Sequence, residues 1–396
     1  MSMQLPTPEQ ARNLMHSLLA TMTKKGGSDL FIAHDFPPSL KVHGNMLPLH
    51  STKLHGEVTA CLADSLMNDK QREEFARELE CNFAIHVPGL SRFRVNVFMQ
   101  QGYVGMVLRT IAAEIPDFDA MRLPPILKDV VMEKRGLVLM VGGTGSGKST
   151  SLAAMIDHRN RNSGGHIITV EDPVEYAHVS KKSLITHREV GVDTHNWHNA
   201  LKNTLRQAPD VILIGEIRDA ETMEHAISFA ETGHLCLSTL HANSASQTFE
   251  RIINFFPEER RAQLLMDLSA NLKAIVSQRL IRRADGQGRV AAVEILLNTP
   301  TVSERIFKGD FHSLKGIMKK SAELGMRTFD GELFNLYEAG LISYEEAIRN
   351  ADSANELRLN IKLKSQRGAD SEGGSALSMV EETKDTDAEE DTSQAA

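Results

Sequence analysis

The run Gly142-Gly143-Thr144-Gly145-Ser146-Gly147-Lys148-Ser149-Thr150 has the residue types and spacing needed to hold a triphosphate. Its glycines let backbone N–H groups wrap phosphates at a helix N-terminus. The Lys148 ammonium reaches the β and γ phosphates, and the Ser149 hydroxyl ligates Mg²⁺. The alternative is an accidental glycine-rich turn. Its four fixed positions coincide by composition only about one or two times in a hundred chains of this size.

Acids supply the rest of such chemistry. Val211 to Ile214 is a short apolar run followed by Gly215 and Glu216, and a carboxylate at the end of a buried strand must meet a cation or a set of donors. In a phosphate-binding sheet that cation is Mg²⁺ with its water shell, which makes Glu216 a metal-site acid; an ion pair with Arg218 is the plainer reading. A second acidic group, Glu171-Asp172-Pro173-Val174-Glu175, follows the apolar run "HIITV". One of its acids is suited to orient or deprotonate an attacking water. Pattern alone does not rank them, and Asp172 would also serve as a helix cap. His241, just past "LCLST", is either a γ-phosphate sensor or a packed, capping histidine.

These groups need a scaffold that brings them to one edge. The strands "LVLMV", "HIITV", "VILI" and "LCLST" alternate with helical segments, the pattern of an open parallel sheet whose ligands bind at the carboxyl ends of its strands. Before them, residues 1–120 read as a small α+β domain. Its first helix starts at a Thr7-Pro8-Glu9-Gln10 capping box and carries a stripe of Leu14, Leu18 and Met22. The segment "PDFDAMRLPP" marks the boundary. Residues 121–364 form the nucleotide domain. They turn helical from about Pro257, with a stripe through Leu264, Leu268, Leu272 and Ile275 and capping boxes at Ser343-Glu346 and Ser353-Glu356. Residues 365–396 are acidic and poor in apolar groups, the composition of a disordered tail.

The chain has 396 residues, 41% of them hydrophobic, and a net charge of −8. That suffices for two or three cored domains and speaks against a nucleic-acid binder, as do one tryptophan and four tyrosines. Cys61, Cys81 and Cys236 are too far apart for a zinc pair or a disulfide framework. No window suits a membrane helix, so the expected location is the cytoplasm.

Taken in order, "GGTGSGKST", "EDPVEY", "GEIRD" and "TLHANS" resemble the Walker A, Asp box, Walker B and His box of the secretion-superfamily ATPases, the ring motors of type II and type IV secretion and of type IV pili. "SDLFIAHDFPPSLKVHGNMLPL" and "SRFRVNVFMQQGYVGMVLRTI" look like the PAS-like N-terminal domain of the pilus retraction ATPases. The likeness spans roughly Gln4 to Lys364. It implies a RecA-like ATPase domain behind a PAS-like domain, with MgATP as the ligand and no zinc. It places the catalytic glutamate at Glu175, the Walker B glutamate at Glu216 and the γ-phosphate histidine at His241. Arg92, Arg94 and Arg109 match arginines that approach the nucleotide near the domain and subunit interface.

Gly143 stands where PilT-type members have proline, and "TVSERIFKGDFHS" replaces their AIRNLIRE-like segment. With the acidic tail, these departures point to the PilU type. The implied function is a hexameric motor that powers or assists pilus retraction at the cytoplasmic side of the inner membrane. It would act as a homo-hexamer or in a mixed complex with a PilT-like ATPase. Its other partner would be the inner-membrane platform protein, with membrane contact only through partners and none with nucleic acid. An autonomous PilT-type motor and a nucleotide-gated structural module are the rival readings; intact Glu175 and Glu216 weigh against the second.

Overall fold

The computed structural model describes residues 5–42, 44–111 and 114–367. The acidic segment from 368 onward lies outside them. Ser365, Gln366 and Arg367, expected in the tail, are instead held: the Gln366 amide donates to Glu338 at 3.0 Å and the Arg367 guanidinium lies 4.9 Å from the Tyr337 ring centre.

Helix α1 (Pro8–Lys24) begins at Thr7, whose hydroxyl and the Gln10 side chain form the expected capping box. It buries Ala11, Met15, Leu18, Leu19 and Met22, whereas Leu14 is 40% exposed. The core-facing stripe is thus rotated from the one read in the sequence, because Ala11 and Met15 fit more closely against the sheet. That sheet contains β1 (Asp29–Ile32), β2 (Ser39–Val42), β3 (Asn45–Pro48), β4 (Glu80–Val87), β5 (Ser91–Gln100) and β6 (Tyr103–Ile111). Helices α2 (Gly56–Asp64) and α3 (Asp69–Glu78) lie between β3 and β4 in the chain. The strand order is β3-β2-β1-β6-β5-β4, antiparallel throughout. In β5, Phe93, Val95 and Val97 point into a core shared with α1 while Arg92, Arg94 and Asn96 take the other face.

After α4 (Ile126–Met132) comes the second sheet: β7 (Gly136–Val141), α5 (Lys148–Asn162), β8 (Gly165–Glu171), β9 (Ser183–Glu189), α6 (Trp197–Thr204), β10 (Val211–Ile214), α7 (Ala220–Glu231) and β11 (Leu235–Leu240). Helices α8 (Ala245–Asn254) and α9 (Glu258–Asn271) lead to β12 (Leu272–Arg282) and β13 (Arg289–Leu297). The order is β13-β12-β7-β11-β10-β8-β9, parallel except for the β12–β13 pair. All residues of β7, β10 and β11 are buried, as strands covered on both faces require. The chain is an α/β protein, as expected.

The all-helical reading beyond Pro257 is corrected here. The stripe Leu264–Leu268 is helical in α9, but Leu272 and Ile275 belong to β12, which pairs with β7. A free place beside a strand some 130 residues earlier turns the β-branched run Ile275-Val276 into sheet, a non-local effect that periodicity does not register. In the same sheet β10, which precedes Glu216, is separated from β7 by β11.

The remaining helices are α10 (Pro300–Phe307), α11 (Leu314–Lys320), α12 (Phe329–Glu338), α13 (Tyr344–Asn350) and α14 (Ala354–Lys364). The last three pack on Ile281, Val290 and Ala292 of the β12–β13 hairpin. Ser343 caps α13 through the Glu346 amide, but Ser353 makes no side-chain cap. Buried Asp330 accepts the Asp352 and Ser353 amides instead.

Candidate active site

The loop from Gly142 to Gly147 joins β7 to α5 and runs in conformations that L-residues avoid: φ is +154° at Gly142, +74° at Gly145 and +85° at Gly147. A Cβ on Gly142 would lie 2.5 Å from Ser146 Oγ and 2.6 Å from the Gln278 carbonyl oxygen. A Cβ on Gly143 would meet nothing within 4 Å, so this position does not itself require glycine for lack of space. The loop is braced from β12. The buried Gln278 side chain donates to the Ser146 carbonyl at 2.8 Å and accepts from the Ser151 hydroxyl at 2.8 Å.

Lys148 Nζ donates to the Gly142 and Gly143 carbonyls at 2.8 and 3.0 Å, holding its ammonium across the loop. Burial lowers its pKa, opposed by the carboxylates of Glu216 and Glu175. Ser146 Oγ is buried with no hydrogen-bond partner. An unpartnered hydroxyl inside a cradle of backbone amides suits an anionic oxygen. Ser149 and Thr150 follow on the first turn of α5, and Thr150 Oγ1 lies 2.9 Å from the Tyr176 hydroxyl.

Opposite the loop stand the acids. Glu216 Oε2 accepts from Arg218 at 2.8 Å, and Oε1 lies 3.2 Å from His241 Nε2. The expected Glu216–Arg218 ion pair is thus present, and the same carboxylate also meets His241. Thr239 of β11 donates to the Gly215 carbonyl at 2.6 Å and fixes that loop. Glu171 closes β8 in a nearly water-free position, where burial pushes its carboxyl up to about 7, and it accepts the Glu175 amide at 3.4 Å. Glu175 is exposed to the cleft, and no helix follows Asp172 for it to cap.

The loop from Thr144 onward and the acids line one cleft of about 510 Å³, a size suited to a small ligand; Gly142 and Gly143 are not part of its lining. Thr144 to Thr150, Glu171, Asp172, Glu175, Glu216 and His241 share it with Arg94 from the first sheet. Of the three candidate arginines, only Arg94 is brought there. Arg92 pairs with buried Glu189 at 3.0 Å, and Arg109 pairs with Asp29 at 2.7 Å, each a carboxylate closer than the cleft. Arg218, expected beside Glu216, lines it too, as do Trp197, Leu280 and Arg289, which were not singled out in the sequence. Gln278, Leu280 and Arg289 sit on strands in the segment read as helical, which is why they were missed. Among the described residues, no helix is long and apolar enough to cross a membrane.

A family described as "Type II/IV secretion system protein" matches residues 12–334. The chain belongs to this family. Among type II/IV secretion system proteins it is 57% identical to the type IV pilus ATPase PilU of Pseudomonas aeruginosa, over 89% of this chain and 92% of that one. It is 43% identical to the PilT ATPase of the same organism, over 84% of this chain and 97% of that one. The fold superposes on a crystal structure of the pilus retraction motor PilT with bound ADP at a TM-score of 0.81, with 37% identity over 90% of this chain and 100% of the other. This secretion-system protein is an ATPase of the PilT/PilU type.

Proposed function

We propose that the chain hydrolyses MgATP in this cleft as a hexameric ring that assists type IV pilus retraction, in the accessory role of a PilU-type member acting with a PilT-type motor. The observation that carries the reading is the convergence of Lys148, Glu175, Glu216, His241 and Arg94 on a single cleft between the two sheets. The backbone amides of the 142–147 loop and the Lys148 ammonium bind and orient the β and γ phosphates. The Ser149 hydroxyl and the Glu216 carboxylate are the groups that would hold Mg²⁺, which when bound supplies positive charge at the phosphate oxygens.

Exposed Glu175 takes the proton of the attacking water as its oxygen bonds to the γ phosphorus and the bridge to the β phosphate breaks. Glu171 is less suited: it lines the cleft but is buried, and its carboxyl is held protonated up to about pH 7. His241 sits where it can report the γ-phosphate to Glu216, and Arg94 neutralises developing charge from the first domain.

The accessory role rests on the likeness to PilU and on the segment after Asn298-Thr299-Pro300, where α10 ends in an exposed Phe307. The tests are phosphate release by the pure protein and a strain that lacks the PilT-like motor but overproduces this chain. Phosphate release without retraction in that strain is the expected result. Full retraction there would make the chain an autonomous motor, and loss of surface pili on deleting this gene alone would make it an assembly ATPase.

A further inference from the structure

Outside the cleft, among the described residues, one further group of side chains converges in a way suited to chemistry. His198 on α6 and Glu221 and His225 on α7 place one ligand atom each within 4.8 Å of the others. Glu221 and His225 are four residues apart on one face of α7. His198 Nδ1 contacts Glu221 Oε1 across the helix pair, and the two imidazole rings lie 6.4 Å apart at 67°. His198 and Glu221 are exposed, and His225 is half-buried. Small rotations of exposed side chains therefore suffice to close the group on an ion, and the path from solvent is open.

We propose that His198, Glu221 and His225 form a binding site for a borderline-soft divalent metal ion of the Zn²⁺ class, bridging α6 and α7. Two imidazoles and one carboxylate are a donor set that Zn²⁺ accepts, with water in the fourth position. Mg²⁺ is excluded by preference, since it demands oxygen ligands and gives up its waters reluctantly. The location gives such an ion a consequence. Trp197, which opens α6, lines the nucleotide cleft, and Asp219, which caps α7, follows Glu216 by three residues. A bridge between the two helices clamps the framework behind the Glu216–Arg218 loop.

The experiment is titration of Zn²⁺ into the full chain, free of any histidine tag and of nucleotide, followed by calorimetry. One equivalent should bind. His198→Ala, His225→Ala and Glu221→Gln should each weaken binding at least about tenfold, that is by about 1.4 kcal/mol. His241→Ala should retain the equivalent, which separates this site from the nucleotide cleft. Co²⁺ loading should give visible ligand-field bands that the His198→Ala, His225→Ala double variant lacks while its melting curve stays that of wild type. Unchanged binding in the three variants, loss of the equivalent in His241→Ala, or displacement of Zn²⁺ by equal Mg²⁺ would each overturn the proposal.

Discussion

Gln278 and Ser146 are joined by a 2.8 Å hydrogen bond from the side-chain amide of a β12 residue to the carbonyl of the phosphate-binding loop, 132 residues earlier in the chain. The same amide group takes the Ser151 hydroxyl at 2.8 Å, so one buried side chain ties the C-terminal end of the loop and the first turn of α5 to the central sheet. Gln278→Leu keeps the volume and removes both bonds, leaving a buried carbonyl and hydroxyl unpaired, at a cost of about 1–3 kcal/mol. The expected outcome is a melting temperature several degrees lower and ATP affinity reduced by about tenfold. Fluorescent-ATP titration beside thermal melting would measure both, and wild-type affinity would show that the loop holds its shape without β12.

Glu175→Gln should bind ATP normally and lose about 10² or more in turnover, the scale of a positioned general base. The amide is near-isosteric but cannot accept the proton of water. Glu171→Gln should turn over far better. If instead Glu171→Gln is inactive and Glu175→Gln is not, the buried acid is the base and the exposed one is not.

Stability should carry a pH signature from Glu171. Its carboxyl ionises near 4.5 in ordinary surroundings and near 7 in the fold, because burial disfavours the charge. Below about pH 4.5 both states are protonated and the group costs nothing; between there and about pH 7 the unfolded chain has released a proton that the fold retains, so stability falls with rising pH. Glu171→Gln, which has no charge to bury, should therefore gain on wild type between about pH 5 and pH 8, by roughly 1–3 kcal/mol. Melting curves of the two proteins across that range give the difference directly. A constant offset would mean that water reaches the carboxyl.

The three arginines of the first sheet should separate in kinetics. Arg94→Ala removes the guanidinium that lines the cleft and should lower turnover by about 10² or more. Arg92→Ala frees Glu189, which also accepts the Val174 amide at 3.3 Å, and so should disturb the turn that carries Glu175, with a smaller loss. Arg109→Ala removes an exposed guanidinium from the buried Asp29 carboxylate, which keeps the Ser28 hydroxyl, and so should cost some stability while turnover stays close to wild type. A loss at Arg109 as large as at Arg94 would show that it reaches a nucleotide held by a neighbouring subunit.

Local chemistry was legible without coordinates. The 142–150 loop announces itself because phosphate binding needs positive-φ glycines, a lysine and a hydroxyl at fixed neighbouring positions, and all of them lie within nine residues. Glu216 and Glu171 were legible for a related reason: an acid after a buried apolar run has few explanations. What tertiary structure alone decided is which distant groups join them. The run from Leu272 became β12 because β7 offered it a free edge, and only then does Gln278 brace the loop and Arg289 line the cleft. Arg92, Arg94 and Arg109 are alike in type and nearly alike in spacing. Their different fates were settled by whether a carboxylate, Glu189 or Asp29, from another strand stands within reach, because the energy of a guanidinium is set by its neighbours in space rather than in sequence.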